Sequence, residues 1–132
     1  MRITGGRYRG RKVICPPGAI RPAMDRMRES MFSILGNISG LSFLDLFSGS
    51  GIVGIEAASR YAEPILLVEK DARKKKIILK NISFVEADIK PVFLPAERFV
   101  IQCKRQFDII FTDPPFAYKF KHNLLASISK ND

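Results

Sequence analysis

Two short motifs in this sequence have residue types and a spacing suited to group-transfer chemistry. The first runs from Asp45 to Gly54 with the sequence DLFSGSGIVG, and the second is an Asp-Pro-Pro-Phe turn that starts at Asp113. Each follows an apolar run that predicts a buried strand. A glycine-rich turn lets the backbone approach a nucleotide-like cofactor where a Cβ would block it. The second turn can hold a flat ring by its amino group, so the pair suggests a methyl donor beside a nucleobase.

The glycine-rich motif fits GxGxxG, but this pattern alone does not separate NAD from S-adenosylmethionine. Asp45 favours S-adenosylmethionine, because a carboxylate just before the glycines suits the ammonium group of a methionine moiety and would repel a pyrophosphate. Glu69, at the end of the next predicted strand, can accept hydrogen bonds from ribose hydroxyls. The adenine contact is poorly marked, and Asp88 is one candidate. The alternative to a cofactor site is a tight turn with a helix-capping acid. The predicted cofactor contacts are Asp45, Phe47, Ser48, Gly49, Ser50, Gly51 and Glu69.

The second motif suits an exocyclic amino group as the methyl acceptor. The carboxylate of Asp113 and the carbonyl of Pro114 could both accept hydrogen bonds from that group, which would direct its lone pair at the methyl donor. Proline fixes φ and so holds the carbonyls rigidly, and Phe116 could stack on the ring. The target nucleotide would have to be flipped or unpaired. The alternative is a plain turn with a capping aspartate. The predicted catalytic residues are Asp113, Pro114, Pro115 and Phe116.

Alternating apolar runs and amphipathic segments predict an α/β protein with a parallel sheet. Residues 2–14 predict a hairpin arm, and methionines at helical spacing predict that Met27 and Met31 fill the core. Predicted strands cover 41–47, 64–68, 92–94 and 107–111; predicted helices cover 24–38, 52–61, 73–84, 97–104 and 119–132.

The charge distribution indicates a polyanionic partner. The chain of 132 residues is long enough for one domain, and its formal net charge is +9. Six of these nine charges come from residues 1–30, where arginine dominates, and arginine suits bidentate phosphate contacts. A second basic run, 73–76, fits either nucleic acid or a solvated face. The predicted RNA contacts are Arg7, Arg9, Arg11, Lys12, Arg21 and Arg26.

Composition also excludes several classes of site. The two cysteines are far apart and form no metal motif, and a single histidine, His122, leaves no histidine triad. No apolar run resembles a signal peptide or a membrane span. We therefore expect a cytoplasmic monomer without a metal.

The segment RPAMDRMRESMF, residues 21–32, resembles the RPTxDRVRExLF signature of the RsmD family of 16S rRNA guanine-N2 methyltransferases. The arm GGRYRGR and the stretches LDLFSGSG and EAASR are similar to the same family. The resemblance covers residues 2–116. It implies a Rossmann-like methyltransferase fold, S-adenosylmethionine as the donor, and a guanine 2-amino group in 16S rRNA of the small subunit as the acceptor. It also implies a basic arm over 1–20 that binds rRNA and a methyltransferase domain over 21–132.

The sequence departs from the family pattern in two ways that bear on function. Pro95 stands where the family tends to carry Asp or Asn near the adenine, and family members run further at the C-terminus. We therefore expect a sheet truncated at its C-terminal end, with the fourth strand as an edge. Three alternatives stay open: an adenine-N6 DNA methyltransferase, an NAD-dependent oxidoreductase, and an inactive RNA-binding remnant.

Overall fold

A computed structural model describes residues 1–15 and 22–113, and these form an α/β fold with a parallel sheet. The strands are β1 (Phe43–Asp45), β2 (Ile65–Val68), β3 (Ile89–Val92) and β4 (Ile109–Phe111). The helices are α1 (Pro22–Leu35), α2 (Ile52–Ser59), α3 (Lys75–Ile82) and α4 (Ala96–Gln102), and a 3-10 turn, Ala72–Lys74, leads into α3. The predicted α/β class and parallel sheet are confirmed.

The strand order is β3-β2-β1-β4, and every neighbouring pair is parallel. The two central strands are apolar at almost every position because both faces of the sheet are covered. Phe43 and Leu67 pack on the side of α2, whereas Leu44 and Leu66 pack against α4. Gly54 lets α2 approach β2 closely, since a Cβ there would lie 2.2 Å from Leu67 Cδ2.

The N-terminal arm, residues 1–15, folds back on itself as predicted. Arg2 and Lys12 form an antiparallel bridge, and the Val13 amide donates to the Met1 carbonyl at 2.8 Å. Ile3 and Val13 are buried in a cluster with two isoleucines of α2. The arm therefore packs against the sheet domain through apolar contacts.

The third strand lies earlier than predicted. It covers Ile89–Val92 instead of 92–94, and among the described residues it pairs with β2 alone. Lys90 and Pro91 interrupt its apolar pattern, which hid the strand from sequence reasoning. A lysine and a proline are tolerated here because β3 is an edge strand.

The predicted apolar face of α1 is confirmed only in part: Ile38, just after the helix, is buried and Met31 packs against the core, but Met27 and Ile34 do not. Met27 is 70% exposed and Ile34 is 87% exposed, while Phe32 and Arg28 are buried. Arg28 can occupy the buried face because it has ionic partners there, which apolar periodicity does not reveal. Met31 packs only partly against the core.

Candidate active site

The predicted site residues meet at the carboxyl edge of the sheet, where β1 lies between β2 and β4. Asp45 ends β1, Glu69 directly follows β2, and Asp113 comes two residues after β4. The strand order reverses direction between β1 and β4, because β2 and β3 extend to one side and β4 lies on the other. In open α/β sheets, ligands bind at the carboxyl ends of the strands at such a switch point.

The loop between β1 and α2 forms a tight turn at the carboxyl edge of the sheet. Gly51 has a φ of +86° and Gly49 a φ of +56°, conformations that favour glycine. The Gly51 amide donates to the Ser48 carbonyl at 2.7 Å, and the Ser48 amide donates to the Val68 carbonyl at 3.0 Å. A Cβ built on Gly49 meets no atom within 4 Å. The surface of the loop at Gly49 is therefore open to a ligand.

Asp45 is a buried carboxylate with one oxygen left unpaired. It is 1% exposed, and its Oδ1 accepts a hydrogen bond from the Phe47 amide at 3.1 Å. Its Oδ2 and the hydroxyl of Ser48 are buried and have no hydrogen-bond partner among the described residues. Buried polar atoms are normally paired. These two atoms therefore suit a polar ligand, and a carboxylate suits a cationic one.

Burial raises the pKa of Asp45 to about 7. The hydrogen bond from Phe47 opposes this rise in pKa, while the nearby charges of Glu69 and Asp113 add to it. The loss of solvation dominates, because the carboxylate is removed from water without a compensating cation. A positive group at Oδ2 would supply that compensation.

The Glu69 side chain is held in place by backbone groups of two loops. Its Oε1 accepts from the Gly49 amide at 2.8 Å, its Oε2 accepts from the Asp71 amide at 2.9 Å, and Lys74 Nζ lies 3.9 Å from Oε2. Each carboxylate oxygen retains a further lone pair. Glu69 can thus accept ligand hydroxyls while it fixes the glycine loop.

A cavity of about 320 Å³ lies beside Asp113, between α1 and the start of α2. Its walls include the methionines of α1, and Asp113 is exposed at its rim. The walls are mainly apolar and can pack against a flat ring. The predicted residues Pro114, Pro115 and Phe116 lie outside the described residues, and so does Arg21.

The remaining predicted residues fall into two groups. Arg7, Arg9, Arg11 and Lys12 are exposed on the arm, and Arg26 is exposed on α1. Asp88, the adenine candidate, directly precedes β3 and so lies at the opposite edge of the sheet from the glycine loop. That position does not suit a contact with a cofactor at the carboxyl edge.

Sequence reasoning missed Glu56, a fully buried carboxylate in the middle of α2. It accepts hydrogen bonds from Thr4 and Gly5 of the arm, and it forms ion pairs with Arg28 at 3.0 Å and Arg60 at 3.2 Å. Glu56 therefore joins the arm, α1 and α2. A glutamate within an otherwise apolar helix was the available signal.

Asn81 of α3 was also missed, although it links the arm to the glycine loop. Its Oδ1 accepts from the Ile14 amide at 2.9 Å, and its Nδ2 donates to the carbonyls of Ile14 and Ser50 at 2.9 Å each. The side chain is 3% exposed. Its partners lie far away in sequence, so no local pattern marks it.

Comparisons with known proteins show the family and the fold of this chain. The family model described as conserved hypothetical protein 95 matches residues 1–132. The chain belongs to the RsmD family. It is 41% identical over 120 residues to ribosomal RNA small subunit methyltransferase D of Escherichia coli K12, which covers 88% of this chain and 60% of the relative. The protein of the same name in Haemophilus influenzae is 30% identical over 139 residues, which covers 100% of this chain and 72% of the relative.

A solved structure of the Escherichia coli protein yhhF matches with a TM-score of 0.87 and 35% identity, over 99% of this chain and 73% of that one. The sheet is accordingly the Rossmann-like sheet of S-adenosylmethionine-dependent methyltransferases. The chain spans about 60% of the length of the Escherichia coli K12 relative. Within residues 1–15 and 22–113, no group of His, Cys, Asp or Glu side chains could hold a metal ion, and no helix is long and apolar enough to cross a membrane.

Proposed function

We propose that this chain transfers a methyl group from S-adenosylmethionine to the 2-amino group of a guanine in 16S rRNA of the small ribosomal subunit. The observation that carries the proposal is the buried, half-paired carboxylate of Asp45 at the same sheet edge as Asp113. Membership of the RsmD family supports the reaction, since relatives in this family are named as small-subunit rRNA methyltransferases.

The residues around the glycine loop fit the methyl donor. Asp45 Oδ2 would accept from the ammonium of its methionine moiety, and the open backbone at Gly49 would lie against the nucleoside. Glu69 would accept from the ribose hydroxyls, in an orientation that its two backbone hydrogen bonds already fix. When bound, the donor supplies an electrophilic methyl group on a positively charged sulfur.

Asp113 would act on the acceptor. The amino group of a guanine is a poor nucleophile, because its lone pair is delocalised into the ring. A carboxylate that accepts its N–H groups holds the lone pair in line with the methyl group. The nitrogen becomes acidic once it is methylated, so Asp113 is also suited to accept the proton that leaves. The adjacent cavity of about 320 Å³ would seat the base.

Substrate RNA would be held by the exposed cations of the arm. Arg7, Arg9, Arg11 and Lys12 lie within one loop and give it a strong positive charge. Such a cluster binds phosphates regardless of sequence. The names of the relatives specify rRNA, which favours this substrate over DNA.

Methyl transfer from labelled S-adenosylmethionine to unmodified small ribosomal subunits tests the proposal, with the labelled nucleotide mapped. We expect label on a guanine 2-amino group. Asp113→Ala should lower the rate by about a hundredfold or more and leave donor binding nearly unchanged, since Asp113 serves the acceptor. Wild-type turnover in this variant would remove Asp113 from the mechanism.

Asp108→Ala is a matched control, because Asp108 is an exposed carboxylate at the opposite end of β4. It accepts from the amide and hydroxyl of Ser42 at 2.9 and 3.1 Å, so its loss costs some stability but touches no part of the site. Folded wild-type protein that transfers no label to any nucleotide would contradict the proposal and support the inactive RNA-binding remnant.

A further inference from the structure

Tyr61 occupies a backbone position that favours glycine. It follows α2, and its φ is +71°. The Tyr61 amide donates to the Ala58 carbonyl, and the Ala62 amide donates to the Ala57 carbonyl, each at 3.0 Å. This pair of hydrogen bonds defines a Schellman motif with Tyr61 at its left-handed position. Glycine is usual there because a Cβ is strained at this φ.

Core packing does not account for the tyrosine. Its side chain is 51% exposed, whereas the next residue, Ala62, is fully buried. A strained backbone that carries an exposed aromatic ring is a feature of functional sites.

The Tyr61 ring lies 5.2 Å from the guanidinium carbon of Arg7, which is also 4.9 Å from the ring of Tyr8. Both distances are within the range of cation–π contacts. The backbone holds this group in place, since the Arg7 amide donates to the Ser59 carbonyl at 2.9 Å and the Tyr8 amide donates to the Ser59 hydroxyl at 2.9 Å.

Tyr8 is itself fixed by two further contacts. Its hydroxyl accepts from the Glu86 amide at 2.9 Å, and its ring meets the edge of Phe84 at a centroid distance of 5.2 Å. Arg11 lies over the other ring of this pair, 4.3 Å from the Phe84 centroid. The arginines are therefore held over aromatic rings on one surface before any partner binds.

We propose that Tyr61 and Arg7 form a stacking site for an unpaired RNA nucleotide, in which the ring receives the base and the guanidinium binds the adjacent phosphate. The proposal rests on the proposed function for the choice of RNA. An exposed ring beside a guanidinium is the combination that binds single-stranded nucleic acid, because every base has a face that can stack. Exposed cations of the same loop, Arg9 among them, would follow the phosphate chain.

Tyr61→Gly tests this site without the usual risk of misfolding. Glycine suits the φ of +71°, so the melting temperature should equal or exceed that of the wild type. Affinity is measured by fluorescence anisotropy for a short labelled single-stranded RNA of mixed sequence and for the same strand in a duplex. We expect about a tenfold loss of affinity for the single strand, because one stacking contact with a base is removed. The affinity for the duplex should change little. Tyr61→Phe keeps the ring and should bind as the wild type does.

Arg7→Gln provides the second variant. It should lower the affinity for both the single strand and the duplex and reduce the salt dependence of binding, since one phosphate contact is lost. Equal affinity of Tyr61→Gly and wild type for the single strand would overturn the stacking site, and so would an equal loss for both RNAs or the absence of RNA binding by the wild type. Methyl transfer to small subunits is measured on the same proteins. If Tyr61→Gly transfers methyl groups with an unchanged KM for the small subunits, the stacking site alone is refuted. If the RNA affinities are as predicted but the wild type transfers no methyl group, the proposed function alone is refuted.

Discussion

Asp45→Asn should change the pH dependence of stability, because Asp45 is buried and no cation among the described residues offsets the loss of solvation. Its pKa lies at about 7 in the folded protein against an ordinary value of 3.8. The folded state therefore retains a proton that the unfolded state loses between these two values. Stability from this group is greatest below pH 3.8 and is lost as pH rises to about 7.

The size of the effect follows from the shift in pKa. Each pH unit within the window costs about 1.4 kcal/mol of unfolding free energy. Between pH 5 and pH 7 the wild type should lose about 2–3 kcal/mol through Asp45. Asparagine carries no charge at either pH, and any packing cost that it adds is equal at both. The unfolding free energy of the wild type minus that of Asp45→Asn should thus be about 2–3 kcal/mol lower at pH 7 than at pH 5. For a chain of this size this corresponds to roughly 10 °C in melting temperature.

Denaturant and thermal unfolding of both proteins at pH 5 and pH 7, without donor, measure this difference. Asp108→Asn serves as the control, since its carboxylate is exposed, and its difference from the wild type should change little. Wild-type and Asp45→Asn stability curves that run parallel within about 0.5 kcal/mol, a third of one pH unit, would refute the reasoning. They would mean that water or a cation solvates Asp45 in the folded protein.

Three further predictions concern Asp45 and two other buried polar side chains, Glu56 and Asn81. The affinity of the wild type for S-adenosylmethionine, measured by calorimetry, should rise about tenfold per pH unit from pH 5 to 7 and then level off, because a cationic ligand requires an ionised Asp45. An affinity that does not change with pH would contradict this. Glu56→Gln should destabilise the protein by about 3–5 kcal/mol and expose the arm to proteolysis, and an arm equally resistant in the variant would show that Glu56 does not hold it. Asn81→Asp removes the two hydrogen bonds that Nδ2 donates to the carbonyls of Ile14 and Ser50 and buries a carboxyl group beside them. It should therefore lower the melting temperature and, below that temperature, weaken the binding of S-adenosylmethionine severalfold; unchanged affinity for S-adenosylmethionine would exclude Asn81 from loop positioning.

The central part of the fold could be predicted from the sequence because its strands are buried on both faces. Continuous apolar runs mark β1 and β2, and a glycine turn after β1 marks the start of α2 at its observed residue, Ile52. β3 was misplaced because an edge strand tolerates Lys90 and Pro91. The other outer strand of the described sheet, β4, keeps an uninterrupted apolar run and was located correctly. Patterns of hydrophobicity thus identify strands with continuous apolar runs and miss one that polar residues or proline interrupt.

The candidate site was predicted as far as it depends on position along strands. Asp45, Glu69 and Asp113 end or follow neighbouring strands, and parallel strands bring their carboxyl ends to one edge. The hydrogen bonding and the pKa of Asp45 could not be predicted in the same way. Its unpaired oxygen and raised pKa depend on what surrounds it in space, and sequence spacing contains no such information.

The buried face of α1 could not be predicted because it depends on a partner outside the helix. Hydrophobic spacing favours Met27 as a core residue and places Arg28 in solvent, yet the structure has the reverse. Arg28 is buried because Glu56, 28 residues away, supplies the opposite charge, and Asp25 supplies a second at 2.7 Å. Arg28 can therefore be buried in the folded protein, where α2 supplies one of its two acidic partners.

The arm is also held by Glu56, which accepts hydrogen bonds from Thr4 and Gly5. A fixed arm presents its charges differently from a flexible one. Charge alone predicts RNA contacts at Arg7 and its neighbours, but it would predict them equally for a disordered tail. Here the backbone around Arg7 is hydrogen-bonded to Ser59, and Asn81 connects Ile14 of the arm to Ser50 of the glycine loop. Cations on such a segment are oriented before RNA binds, so binding loses less conformational entropy than a flexible tail would. The same hydrogen bonds give the proposed RNA-binding surface a direct structural connection to the loop that would hold the methyl donor.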